Sequence, residues 1–152
     1  MYNTLLYLHH LTRWLVLISL LYAIYTAARG SLLQLAFTKA ADVTRHVTAT
    51  IAHIQLLLGM VLYFKSPLVS YFWHNRQQAM GDMDISFFGL YHPALMLVAI
   101  IIITIGSALA KRRDTDTCKY KTMLLWYIVA LLIIFIAIPW PFSPFANRPY
   151  LR

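Results

Sequence analysis

The sequence predicts an all-α fold: a four-helix transmembrane bundle, up-down-up-down, with both termini on the outer side. Three observations predict it. The chain is 61% hydrophobic and only 12% charged, with a mean hydropathy of +0.65, whereas soluble domains carry about 25% charged residues. Four apolar runs reach spanning length. Lys and Arg gather between alternate runs, as the positive-inside rule requires of cytoplasmic loops.

The first run, Leu5–Ala28, is too long for the apolar region of a signal peptide, and no small-residue cleavage site follows it, so it reads as a retained helix. The second centres on Val47–Phe64, the third on Phe87–Ala110 and the fourth on Met123–Ile138. Interfacial residues extend the shorter two, giving spans of about 5–28, 44–65, 87–110 and 121–138 in a single domain covering 1–152. Pro139 and Pro141 stop the fourth helix, because proline cannot donate to a helix and clashes with the preceding turn.

The loops 29–46 and 111–122 hold Arg29, Lys39, Arg45, Lys111, Arg112, Arg113, Lys119 and Lys121; the other side holds Lys65, Arg76, Arg148 and Arg152. Eight against four assigns the first side to the cytoplasm and both termini to the outside. Tyr2, Tyr7, Tyr63, Phe64, Tyr71, Phe72, Trp73, Phe87, Phe88, Tyr91, Trp140 and Phe142 form an outer aromatic belt, with Trp126 and Tyr127 marking the inner interface. The expected setting is a membrane, crossed several times, with the lipid bilayer as the main partner. The net charge of +8 sits at the membrane boundaries and forms no interleaved groove, so nucleic-acid binding is not expected. The single Cys118 cannot form a disulfide within the chain.

Histidines carry the functional signal. His9, His53 and His92 lie in or at the lip of three different spans, and an ionisable side chain in hydrocarbon is costly unless it serves a purpose. Imidazole is also the commonest metal and haem ligand. His9 and His92 lie about 7–10 Å below the outer rim, and His53 about 16 Å deep. A bis-histidine haem needs two imidazoles at similar height, which favours His9 with His92 and leaves His53 able to replace either. Arg13, one turn below His9 on the same face, would anchor a haem propionate; snorkelling to lipid phosphate is the plainer alternative.

His46, Thr50 and His53 share one face of the second helix, and Gln55 and Gly59 another, where a small residue admits a close approach. No facing imidazole completes a second site at His46, so one haem is favoured over two. His10 points about 100° from His9, toward the headgroups. Each histidine could equally hydrogen-bond a carbonyl on a neighbouring helix. In the loop 65–86, His74, Met80, Asp82, Met83 and Asp84 could hold copper without matching a strict motif. No catalytic triad, phosphate-binding glycine loop or zinc-protease motif occurs.

The stretches Leu8-His9 with Arg13-Trp14, Ala52-His53-Ile54-Gln55-Leu56-Leu57-Leu58-Gly59, Leu62-Tyr63-Phe64-Lys65-Ser66-Pro67, the His92 segment and Ile138-Pro139-Trp140-Pro141-Phe142 resemble small bacterial four-helix membrane proteins catalogued as cytochrome b-like. The resemblance covers nearly the whole chain. It implies haem held by histidines on facing helices, with electrons passing between quinone, haem and a respiratory partner protein, and quinol or superoxide as reactants. The resulting expectation is one b-type haem ligated by two of His9, His92 and His53, with Arg13 on a propionate and a membrane oxidoreductase as the class of activity. Two readings of other classes stand beside it: a cofactor-free structural or assembly subunit, and a metal-handling membrane protein. A homo-oligomer is open under all three.

Overall fold

A computed structural model describes residues 2–146. It is all-helical in its regular structure: α1 (Tyr2–Leu32), α2 (Lys39–Lys65), α3 (Pro67–His74), α4 (Arg76–Ala79), α5 (Met83–Ser86), a π-helical turn (Phe87–Tyr91), α6 (His92–Arg112) and α7 (Asp116–Ala137). Four of these stretches are long and apolar enough to cross a membrane: Tyr2–Leu32, Lys39–Lys65, Met83–Arg112 and Asp116–Ala137. All four begin before the predicted limits, because polar residues continue the helix where hydropathy alone stops it; the first and third also end beyond them, whereas the second ends at Lys65 as predicted and the fourth at Ala137, one residue short. Arg148 and Arg152, used to weigh the loops, lie outside the described residues.

Local chemistry sets the helix ends. Gln34 takes a left-handed backbone conformation (φ 52°) after α1, and the Leu35 N–H bonds back to the Gly30 carbonyl at 3.0 Å, a Schellman-type stop. The Gln34 amide reinforces it by donating to the Ser31 carbonyl and accepting from the Thr117 hydroxyl. Thr38 and Thr115 cap the starts of α2 and α7. Ser66 ends α2 and caps α3, whose first residue is Pro67.

The four long helices form a closed ring: α1 packs on α2 and α7, and α6 on α2 and α7, leaving α1 and α6 on a diagonal. The core between them is rich in small residues, among them Ala23, Ala27, Ala49, Ala52, Ala99 and Ala130, interleaved with Leu20, Ile103, Met123 and Tyr127. Small side chains let helix backbones approach closely where lipid provides no hydrophobic drive. Gly106 shows the limit: a Cβ there would overlap Trp126. Large apolar residues such as Ile18, Leu57, Leu125 and Leu132 point outward, as a bilayer-facing surface demands.

The link between α2 and α6 folds over the bundle end where α1 begins and α7 finishes. Pro93 lacks an N–H and cannot bond the Gly89 carbonyl four residues back; the helix widens there into the π turn. The freed Gly89 carbonyl accepts from the Tyr63 hydroxyl at 2.9 Å, and Tyr63 accepts from the Trp73 indole at 2.8 Å. Phe72 of α3 is fully buried against Gly89, where a side chain would collide with its ring. These contacts seat α3 as a roof.

Candidate functional site

Beneath that roof lies a cavity of about 280 Å³, lined by α1, α2 and α6 and closed below by Ile100 and Ile134. His9, His10 and Arg13 of α1, Gln55 and Gly59 of α2, and His92 of α6 all face it. His9 and His92 approach across the bundle diagonal, with ring centroids 6.5 Å apart and planes at 73°.

The polar groups of His92 are set by the end of α7. The Ala137 carbonyl has no helical partner, since the residue four further on is Pro141. It accepts instead from His92 Nδ1 at 2.7 Å. A carbonyl can only accept, so Nδ1 carries the proton, and the neutral ring keeps its lone pair on Nε2.

His9 is arranged differently. The Gln55 amide nitrogen donates to the His9 carbonyl at 3.0 Å and lies 3.4 Å from His9 Nε2, while the Gln55 oxygen accepts from the Thr12 hydroxyl. An amide N–H₂ can only donate, so Nε2 is the acceptor and Nδ1 bears the proton. That Nδ1 is buried and has no hydrogen-bond partner among the described residues. It sits over Gly59: a Cβ there would lie 3.2 Å from His9 Cε1 and 3.7 Å from Nδ1. Glycine is what leaves the imidazole room.

Arg13 is buried in the same cavity wall, its guanidinium 5.3 Å from the Trp14 ring and 6.0 Å from the Trp140 ring. Stacking against two indoles fixes it without requiring it to reach the headgroups.

Two expectations change. His53 is outside the cavity: it is exposed on the α2–α6 seam, with Nδ1 bonded to the Ala49 carbonyl at 2.7 Å and Nε2 3.1 Å from Thr104 Oγ1. The rotation of α2 brings Ala52, Gln55 and Gly59 inward, and His53 lies off that face. His10 is buried in the cavity wall, not turned to the headgroups, because α3 covers the bundle end above it. In the roof region His74 Nδ1 bonds the Ser70 carbonyl and Asp82 caps α5 through the N–H groups of Asp84 and Ile85. Among the described residues, no three His, Cys, Asp or Glu side chains stand close enough to hold a bare metal ion.

The opposite end of the bundle holds a second buried cation that the sequence disguised as a loop charge. Arg45 lies within α2, buried, with Nε and Nη2 on Asp42 Oδ1 at 3.0 and 2.7 Å and Nη1 3.0 Å from the Ser107 carbonyl. The Tyr127 hydroxyl donates to the Arg45 carbonyl at 2.8 Å.

Fold and cavity together define an all-helical protein with four helices fit to cross a membrane and a histidine-lined chamber at one end. No protein-family model matches the chain, and no curated protein or solved structure matches it.

Proposed function

We propose that the protein binds one b-type haem in the chamber between α1 and α6, where His92 and His9 would hold it, and serves single-electron transfer. The observation that carries this reading is the diagonal histidine pair. Two metal–imidazole bonds of about 2 Å each, plus the half-widths of two rings, ask for centroids roughly 6 Å apart; the pair stands at 6.5 Å. Three further features support it. The His92 proton is held by a backbone carbonyl, the usual outer partner of a coordinating imidazole. The buried His9 Nδ1 lacks a partner among the described residues, as an atom facing a bound group would. Gly59 and Ala52 leave room on α2 for a flat ring, and Arg13 offers a carboxylate partner in the wall. Bound there, the iron would supply one-electron chemistry at a potential tuned by its ligands and burial.

The chamber then lies at the outer side of the bacterial inner membrane, with both termini outside. The Lys and Arg distribution supports this, although Arg45 belongs to the buried network and not to the inner loops. Quinol, superoxide or a respiratory partner protein would exchange electrons beneath the α3 roof.

A second reading is a cofactor-free subunit of a membrane complex. The His92–Ala137 and His53–Thr104 hydrogen bonds favour it, because each also ties two helices together. Haem titration into the detergent-purified protein separates the two. The haem reading expects saturation at one haem per chain with a Soret band and a sharp α-band on reduction. Absence of uptake would leave the subunit reading.

A further inference from the structure

We infer that the chamber is loaded from the bilayer: its mouth is a lateral slot between α2 and α6, and haem enters it from lipid, not from water. This inference rests on the haem reading and adds to it where the ligand comes from.

Three polar ties hold the α2 side of the bundle to α6 and the turn before it. Arg45 donates to the Ser107 carbonyl, His53 Nε2 lies 3.1 Å from Thr104 Oγ1, and at the roof the Tyr63 hydroxyl donates to the Gly89 carbonyl at 2.9 Å. From His53 to Tyr63, α2 rises about 15 Å, and no hydrogen bond among the described residues joins it to α6 in between. The His53–Thr104 contact also fixes which faces meet. Met60 is seven residues beyond His53 and Leu97 seven before Thr104, and seven residues bring a helix back to nearly the same face. Both side chains therefore stand on the untied stretch, on the chamber side of that contact. Met60 is 46% exposed yet lines the chamber; Leu97 is 48% exposed, and Pro93, one turn away, lines the chamber with Met96. A side chain that reaches both the outer surface and the chamber marks a mouth. Methionines from both helices flank it, and an unbranched thioether adapts its shape to a passing ring. Leu57 and Ile101 beside it are exposed and apolar, so it opens on hydrocarbon. The other routes are shut. Phe72 is fully buried in the roof, Gln55 ties α2 to α1 through the His9 carbonyl and Thr12, and Ile100 and Ile134 form the floor.

The test is the rate at which the Soret band grows when the full chain, reconstituted without haem in phosphatidylcholine vesicles, is offered haem. The haem is either dissolved in the vesicle lipid or held in water by serum albumin. The wild type is expected to load faster from the lipid. Leu97→Trp, at the slot's outer edge, should slow loading and release alike by about tenfold and leave the final haem content as it was. Met60→Trp should slow both as well, and decides the matter if the first variant does not fold. Phe72→Leu thins the roof and should load at the wild-type rate. Faster loading from albumin, faster loading by Phe72→Leu, or wild-type rates in both tryptophan variants would overturn the lateral mouth while leaving the haem reading intact. A chain that takes up no haem from either source overturns both.

Discussion

The two ends of the bundle each bury an arginine, and the groups around them are arranged differently. At the Asp42 end, Arg45 makes four hydrogen bonds, to Asp42 and to the carbonyl and hydroxyl of Ser107, and Tyr127 and Thr48 bond neighbouring carbonyls. The polar groups there consume one another across α1, α2, α6 and α7, and the helices close around them. At the histidine end, Arg13 is stacked on aromatic faces, His9 Nδ1 is buried without a partner among the described residues, and the helices leave a chamber. A closed polar network fixes how helices sit; an incompletely satisfied one beside a cavity is what a binding site looks like before its ligand arrives.

The comparison is broken most forcefully at Arg45. Arg45→Ala leaves Asp42 and Ser107 without their partner and should destabilise the bundle by about 3 kcal/mol, toward the lower limit for a broken buried pair because Asp42 stays partly exposed. Unfolding in mixed detergent micelles measures it; a loss under 1 kcal/mol would show that the network is not closed in the manner described. Gly59→Ala tests the other end with a smaller change. The added methyl meets His9 Cε1 at 3.2 Å and must push the ring by a few tenths of an ångström. Stability should fall by about 1 kcal/mol or less, while haem uptake weakens by about tenfold, as for outer-sphere changes around a metal ligand. Unchanged uptake would remove Gly59 from the site. The smallest effect is expected at His53. Replacement by Ala loses the contacts to Ala49 and Thr104, about 1 kcal/mol, and should leave the visible spectrum as it was. Loss of the Soret band in that variant would return His53 to the ligand set.

The four spans were legible because hydropathy is a local property, recoverable from about twenty consecutive residues. The approach of His9 to His92 was legible for a related reason: depth follows from counting residues at a fixed rise. What counting cannot supply is rotation about the helix axis. His53 and Gln55 are two positions apart, and only packing of Ala52 against α1 decides which of them turns inward. Arg45 misled because its place near the end of an apolar run looks juxtamembrane; the helix in fact begins six residues earlier, at Lys39, and carries the guanidinium inside. The hydrogen-bond partners that distinguish His9 from His92 depend on Pro141 freeing a carbonyl 45 residues from His92 and on Gln55 reaching from α2. No local pattern announces either.

The most direct test of the difference between the two ends is the visible spectrum of His92→Leu beside the wild type, both purified from cells supplied with haem precursor and both shown to be monodisperse. The account predicts a red wild-type protein and a folded, colourless variant. Equal haem in the two proteins would contradict the assignment of His92, and a colourless wild type would contradict the haem site itself.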